Sequence, residues 1–85
     1  MSSAAEISNR LHNVFVEVLE DPQFLMDPVT RMGDVESWDS FAHINLMLAI
    51  ESEFGVEFDS DEIGNLLSIG DISRALHSRL ETTER

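Results

Sequence analysis

Apolar residues return at helical spacing in four stretches of the chain, and polar or irregular segments separate them. Ile7, Leu11, Val14, Phe15, Val18 and Leu19 fall on one face of a first helix. Ser3-Ala4-Ala5-Glu6 reads as its capping box, and Asp21-Pro22 ends it, because the residue before a proline avoids helical backbone angles. Residues 21–39 show no period and contain Asp27-Pro28 and Gly33, which predicts a long connection pinned to the core by Phe24, Leu25, Met26 and Val29. A second helix is predicted from about Ser40 to Phe54, stopped by Gly55. Leu46, Met47, Ile50 and Phe54 form its core stripe. Phe41, Ile44 and Leu48 form another, rotated well away from the first. Two stripes mean either a central helix packed on both sides or a face left for a partner, and the pattern does not choose between them. Val56 and Phe58 lead into Ser60, read as the N-cap of a short third helix carrying Ile63, Leu66 and Leu67 and weakened by Gly64. Ile69, Ile72, Leu76 and Leu80 mark a last helix, with Arg74 and Arg79 toward its C-terminal end and a frayed polar tail over 81–85. Neither repeats nor period-two alternation occur, so the expected fold is all-α, a small helical bundle.

Length narrows the possible functions. Eighty-five residues suggest one domain, 1–85, with its core over about 4–80. A chain of this size buries only about 60% of its unfolded surface, which leaves little interior for a deep active site. The chain has no cysteine, so disulfide and thiolate chemistry are excluded. No apolar run reaches membrane-spanning length, and the start lacks a signal-peptide pattern, so a cytoplasmic protein without membrane insertion is expected. Seventeen acids against five arginines give a net charge of -12. Between Met32 and Ser73 there are ten acids and no Arg or Lys. Such a field repels nucleic acid, steers the domain toward basic protein surfaces and favours a monomer through self-repulsion. Acidity of this kind also keeps a small protein in solution with no further purpose.

Candidate chemistry concentrates where the long connection enters the second helix. A serine hydroxyl at Ser40 would lie near the positive end of the helix dipole and its unpaired backbone N–H groups, both of which stabilise a phosphodiester. The plainer alternative is that Ser40 or Asp39 only caps the helix. Asp59-x-Asp61-x-Ile63-Gly64 imitates the start of a calcium loop, but Ile63 and Gly70 stand where two oxygen ligands are needed, so no metal site is expected. His12, His43 and His77 are far apart, and Glu51 and Glu53 diverge on a helix, so no catalytic or metal-binding set emerges. His43 is expected at the surface or its boundary, Trp38 as the anchor of the loop's end, and the methionines as core filler.

The segment from Trp38 to Phe58, WDSFAHINLMLAIESEFGVEF, resembles the motif of acyl carrier proteins, and the order and spacing of elements agree over about residues 4–80. In that family an Asp-Ser-Leu/Met/Phe triplet opens helix two, and the fold is a four-helix bundle with a short third helix and a long loop between helices one and two. The resemblance implies that Ser40 carries 4′-phosphopantetheine and that Asp39 helps present it, with a metal ion, to a phosphopantetheinyl transferase. It implies a non-catalytic role, holding an acyl group as a thioester for acyl-transferring and condensing enzymes with basic docking patches. Phe41, Ile44, Leu48 and Glu51 match the partner-facing positions. Leu46, Ile50, Phe54, Ile63 and Leu67 match the lining of the acyl pocket, and would serve equally as ordinary core. Ala42, Asn45 and Ser52 are uncharged where fatty-acid carriers are commonly acidic. The resemblance implies fatty-acid, polyketide or other specialised lipid or secondary-metabolite biosynthesis, and that departure suggests a specialised free-standing carrier, in a secondary-metabolite, modified-lipid or surface-polysaccharide pathway. The alternatives are an aminoacyl (D-alanyl-type) carrier and an acidic adaptor without an arm.

Overall fold

A computed structural model describes residues 4–83, with side chains described through residue 80. It contains four helices and, among the described residues, no strand: α1 (Ala4–Leu19), α2 (Ser40–Phe54), α3 (Ser60–Asn65) and α4 (Ile69–Thr83). The expected Ser3 capping box lies partly outside the described residues. Helix α4 continues three residues beyond Leu80, into the stretch read as tail.

The first helix buries Ile7, Leu11, Val14, Phe15 and Leu19, most of the face that its spacing marks out. Helix α2 packs most extensively against it, and α4 closes the bundle with Ile72 and Leu76 fully buried. The end of α1 is set by Glu20, which takes the left-handed conformation at φ 54°. The Asp21 N–H then donates back to the Val16 carbonyl at 3.2 Å, and Pro22 cannot continue the helix. Helix α2 ends in the same way at Gly55, whose φ of 67° costs a glycine nothing and whose N–H donates to the Glu51 carbonyl.

The long connection runs over the surface, and two of its expected anchors do not reach the core. Phe24 is buried and stacks on Phe15 with ring centroids 5.4 Å apart. Leu25 and Val29 are instead 79% and 76% exposed. The chain turns sharply just after Phe24, where the Asp27 N–H donates to the Leu25 carbonyl at 3.0 Å. With Phe24 inward, Leu25 faces out and Met26 returns to a half-buried position. Val29 sits in a turn whose Asp27 carboxylate accepts from the Val29 N–H. Beyond it, the Met32 N–H donates to the Leu67 carbonyl and the Ile69 N–H to the Thr30 carbonyl, so the connection is stitched to the α3–α4 joint. Gly70 lets the two segments approach closely at that joint, where a Cβ would lie 3.0 Å from the Pro28 carbonyl oxygen.

Helix α3 buries no residue fully. Its N-cap is Asp59 rather than Ser60, which is the first helical residue. The Asp59 carboxylate accepts from the Glu62 N–H while the Glu62 carboxylate accepts from the Asp59 N–H. Arg79 of α4 lies over the Phe58 ring, donates to the Glu57 carbonyl and pairs with Glu62. Six residues cannot form a stable helix unaided, so these polar links largely decide where α3 sits.

Candidate functional site

The site begins at Trp38. Its indole is fully buried and meets the Phe15 ring edge-on at a centroid distance of 5.4 Å, so the end of the long connection is anchored as expected. The next residue, Asp39, has extended backbone angles and caps α2: its carboxylate accepts from the Ala42 N–H at 2.8 Å and its carbonyl from the His43 N–H at 2.9 Å. Because Asp39 does the capping, Ser40 is free of that task. Ser40 is exposed at the first position of the helix, and its hydroxyl makes no hydrogen bond among the described residues. The N–H groups of Ser40 and Phe41 at this helix end are likewise without protein partners. Replacing Asp39 with alanine should remove the cap and cost about 0.5–2 kcal/mol, read as a lower urea midpoint, whereas Asp39→Asn should retain most of it.

His43 is a correction to the sequence reading. It is buried, not a boundary residue, and both of its ring nitrogens are engaged. The Trp38 Nε1–H donates to Nδ1 at 3.1 Å. An indole nitrogen can only donate, so Nδ1 is the bare acceptor and Nε2 carries the hydrogen. That Nε2–H donates to the Ile63 carbonyl of α3 at 2.9 Å. A buried relay thus runs from the residue before Asp39-Ser40, through the first turn of α2, to the third helix. Breaking it leaves a fully buried indole N–H without a partner, at a cost of about 1–3 kcal/mol, and frees the part-buried Ile63 carbonyl.

The other residues singled out from the sequence divide by side. Phe41, Ile44 and Leu48 are 76%, 53% and 54% exposed and form a continuous apolar stripe on the outer face of α2. The alternative in which α2 is packed on both sides is therefore wrong. Glu51 is half-buried, and its carboxylate accepts from the Phe58 N–H at 2.7 Å, so it also fastens the α2–α3 linker. A cleft of about 470 Å³ opens beside it, between Leu48, Ser52, Gly55 and Glu57. Leu46 and Ile50 are fully buried, while Phe54, Ile63 and Leu67 are half-buried. Arg10, Arg74 and Arg79 pair with Glu53, Asp71 and Glu62, whereas among the described residues no arginine pairs with Asp34, Glu36 or Asp39 beside the site. Among the described residues no group of three or more His, Asp or Glu could hold a metal ion. No helix there is long and apolar enough to cross a membrane.

Comparison with known proteins gives this geometry its context. No family model matches the chain. Acyl carrier proteins of Rhodopseudomonas palustris (strain TIE-1), Nitrobacter winogradskyi and Bradyrhizobium sp. (strain ORS 278) are each 29% identical over 79 residues, covering 92% of this chain and 99% of theirs. The solution structure of a holo acyl carrier protein from Geobacter metallireducens superposes with a TM-score of 0.81 at 25% identity, over 88% of this chain and 86% of that one. In sequence and in fold the chain is similar to acyl carrier proteins. Its four helices and long first connection are that fold, and members of the family are carriers rather than catalysts. Sequence reasoning missed the buried His43 relay, although the position of His43, three residues before Leu46 on the core side of α2, was there to be read.

Proposed function

We propose that the chain holds an acyl group as a thioester on a 4′-phosphopantetheine arm, joined through a phosphodiester to Ser40. The observation that carries this reading is the free, exposed Ser40 hydroxyl at the start of α2, beside an aspartate already turned away to cap the helix. The residues fit the group. The unpartnered N–H groups of Ser40 and Phe41 and the positive end of α2 offset the phosphodiester charge, and no neighbouring side chain has to be displaced. Asp39 is the residue a transferase would meet alongside the serine.

Partner enzymes would dock on the outer face of α2. Phe41, Ile44 and Leu48 supply apolar contact there, and the acids of the adjoining loop, together with Glu51, face a basic patch on the enzyme. The first turn of α2 contains no acid, and Ala42, Asn45 and Ser52 are uncharged. Docking therefore leans more on the apolar stripe than on charge, which fits a specialised carrier of an acyl or aminoacyl group, working as a monomer in the cytoplasm. Exposed ion pairs contribute about 0–1 kcal/mol each, so the contacts are weak enough for the carrier to leave each enzyme after use. Incubation with coenzyme A and a broad-specificity phosphopantetheinyl transferase should add the mass of one phosphopantetheine to the intact protein. A folded protein that takes up no arm from several transferases would sink the reading and leave an arm-less adaptor.

A further inference from the structure

We propose that His43 is a specificity-determining residue: it closes the core to whatever is carried on Ser40, so that this chain serves short or polar acyl groups rather than long aliphatic ones. The inference rests on the reading of Ser40 as the arm-bearing residue.

The placement of residues on α2 sets the problem. Ser40, His43, Leu46 with Met47, and Ile50 follow one another at i, i+3, i+6/i+7 and i+10 along the same side of the helix. Leu46, Met47 and Ile50 are fully buried, and His43 is the first buried side chain beyond Ser40. An aliphatic group tethered at Ser40 and reaching inward between α2 and α3 therefore meets the imidazole before it meets hydrocarbon. The imidazole cannot swing aside freely, because it holds the Trp38 indole with one nitrogen and the Ile63 carbonyl with the other. Trp38 in turn is wedged against Phe15, which fixes the relay from the α1 side. Insertion would have to break both bonds and strand the buried Trp38 indole N–H. It would also loosen α3, which buries no residue fully and depends on such links for its position.

A second apolar surface lies within reach and asks for no such sacrifice. The Phe41–Ile44–Leu48 stripe is already exposed on the outer face, so a medium-length chain can shelter some of its surface there with every core hydrogen bond intact. A hydrophobic side chain in place of His43 would remove the barrier, since neither Trp38 nor Ile63 would then be held across the gap.

The test compares the full chain loaded by a transferase from acetyl-coenzyme A and from octanoyl-coenzyme A, in wild-type and His43→Val forms. Melting temperature and the Trp38 indole N–H resonance are the readouts. For the wild type, the two cargoes should give the same melting temperature and the same indole resonance. For His43→Val, the octanoyl form should melt several degrees above the acetyl form, a dependence on chain length that a purely structural histidine would not create. His43→Gln has an amide that can both accept from Trp38 and donate to Ile63, and should restore length-independent melting. A wild-type octanoyl form that melts several degrees higher with a displaced indole resonance overturns the proposal, and this comparison stands even if His43→Val does not fold. Failure of the wild type to load either group overturns the carrier reading itself, and the inference with it.

Discussion

Trp38→Ala is expected to lower the melting temperature by more than about 12 °C, the largest loss of stability from any single substitution near the site. Truncating a buried tryptophan costs about 3–5 kcal/mol through lost burial and the cavity left behind. For a domain of 60–100 residues each kcal/mol moves the midpoint by about 4–8 °C. Trp38 meets both conditions for the upper part of that range. Its ring is fully buried against Phe15, and its N–H donates to the buried His43 Nδ1. The whole stability of a domain of 85 residues is about 4–13 kcal/mol at ~0.05–0.15 kcal/mol per residue, so the variant sits near the edge of folding. Trp38→Phe should fall between wild type and Trp38→Ala, because it keeps most of the ring volume but loses the donor. Trp38 is the chain's single tryptophan, so circular dichroism rather than fluorescence must follow the transitions. A Trp38→Ala protein that melts within a few degrees of wild type would show that the loop end is not anchored there.

The parts of the fold that were legible in the sequence are those decided by local physics. Helix α2 runs from Ser40 to Phe54 as its pattern predicts, because Asp39 can cap, Gly55 can take a left-handed conformation, and the residues between repeat at helical spacing. The segment carrying Asp39-Ser40 was legible for the same reason, since a turn into a helix is a local event. Errors arise where two local rules compete or where a distant residue decides. Ser60 and Asp59 are both good caps, and the choice falls to Asp59 because Glu62 stands three residues after it and returns the hydrogen bond. That signal is local and stands in the sequence itself. Leu25 and Val29 look like anchors by composition, yet Phe24 takes the place against Phe15 and the tight turns that follow leave both of them outside. His43 looks like a surface residue by type. Its burial depends on a donor five residues earlier and a carbonyl twenty residues later, and no local pattern reports that both converge on one imidazole. The outer stripe of α2 lay between these cases. Its existence followed from the wheel, while its exposure depended on where α1, α3 and α4 pack.

Ser40→Ala should abolish uptake of the phosphopantetheine arm completely while leaving the fold and its melting temperature within a degree or so of wild type. The two halves of this expectation have separate causes. Uptake requires an oxygen nucleophile at position 40, and an alanine has none, so the mass gain seen with coenzyme A and a transferase should vanish rather than diminish. Stability should hold because the Ser40 side chain is exposed and unbonded, and the cap on α2 belongs to Asp39. Alanine also has a higher helix propensity than serine, by a few tenths of a kcal/mol, so any shift should be small and upward. This pairing is what separates Ser40 from Trp38 and Asp39, whose loss perturbs the structure as well as the site. Intact-protein mass and thermal melts on the same preparation read both halves together. An alanine variant that still gains the arm would move the attachment to another hydroxyl, and one that fails to gain it but is also unfolded would show that Ser40 supports α2 in a way its exposed, unbonded side chain does not allow. A clean loss on an intact bundle would leave the hydroxyl itself as the chemistry of the site, with Trp38, Asp39 and His43 acting only to hold it in place.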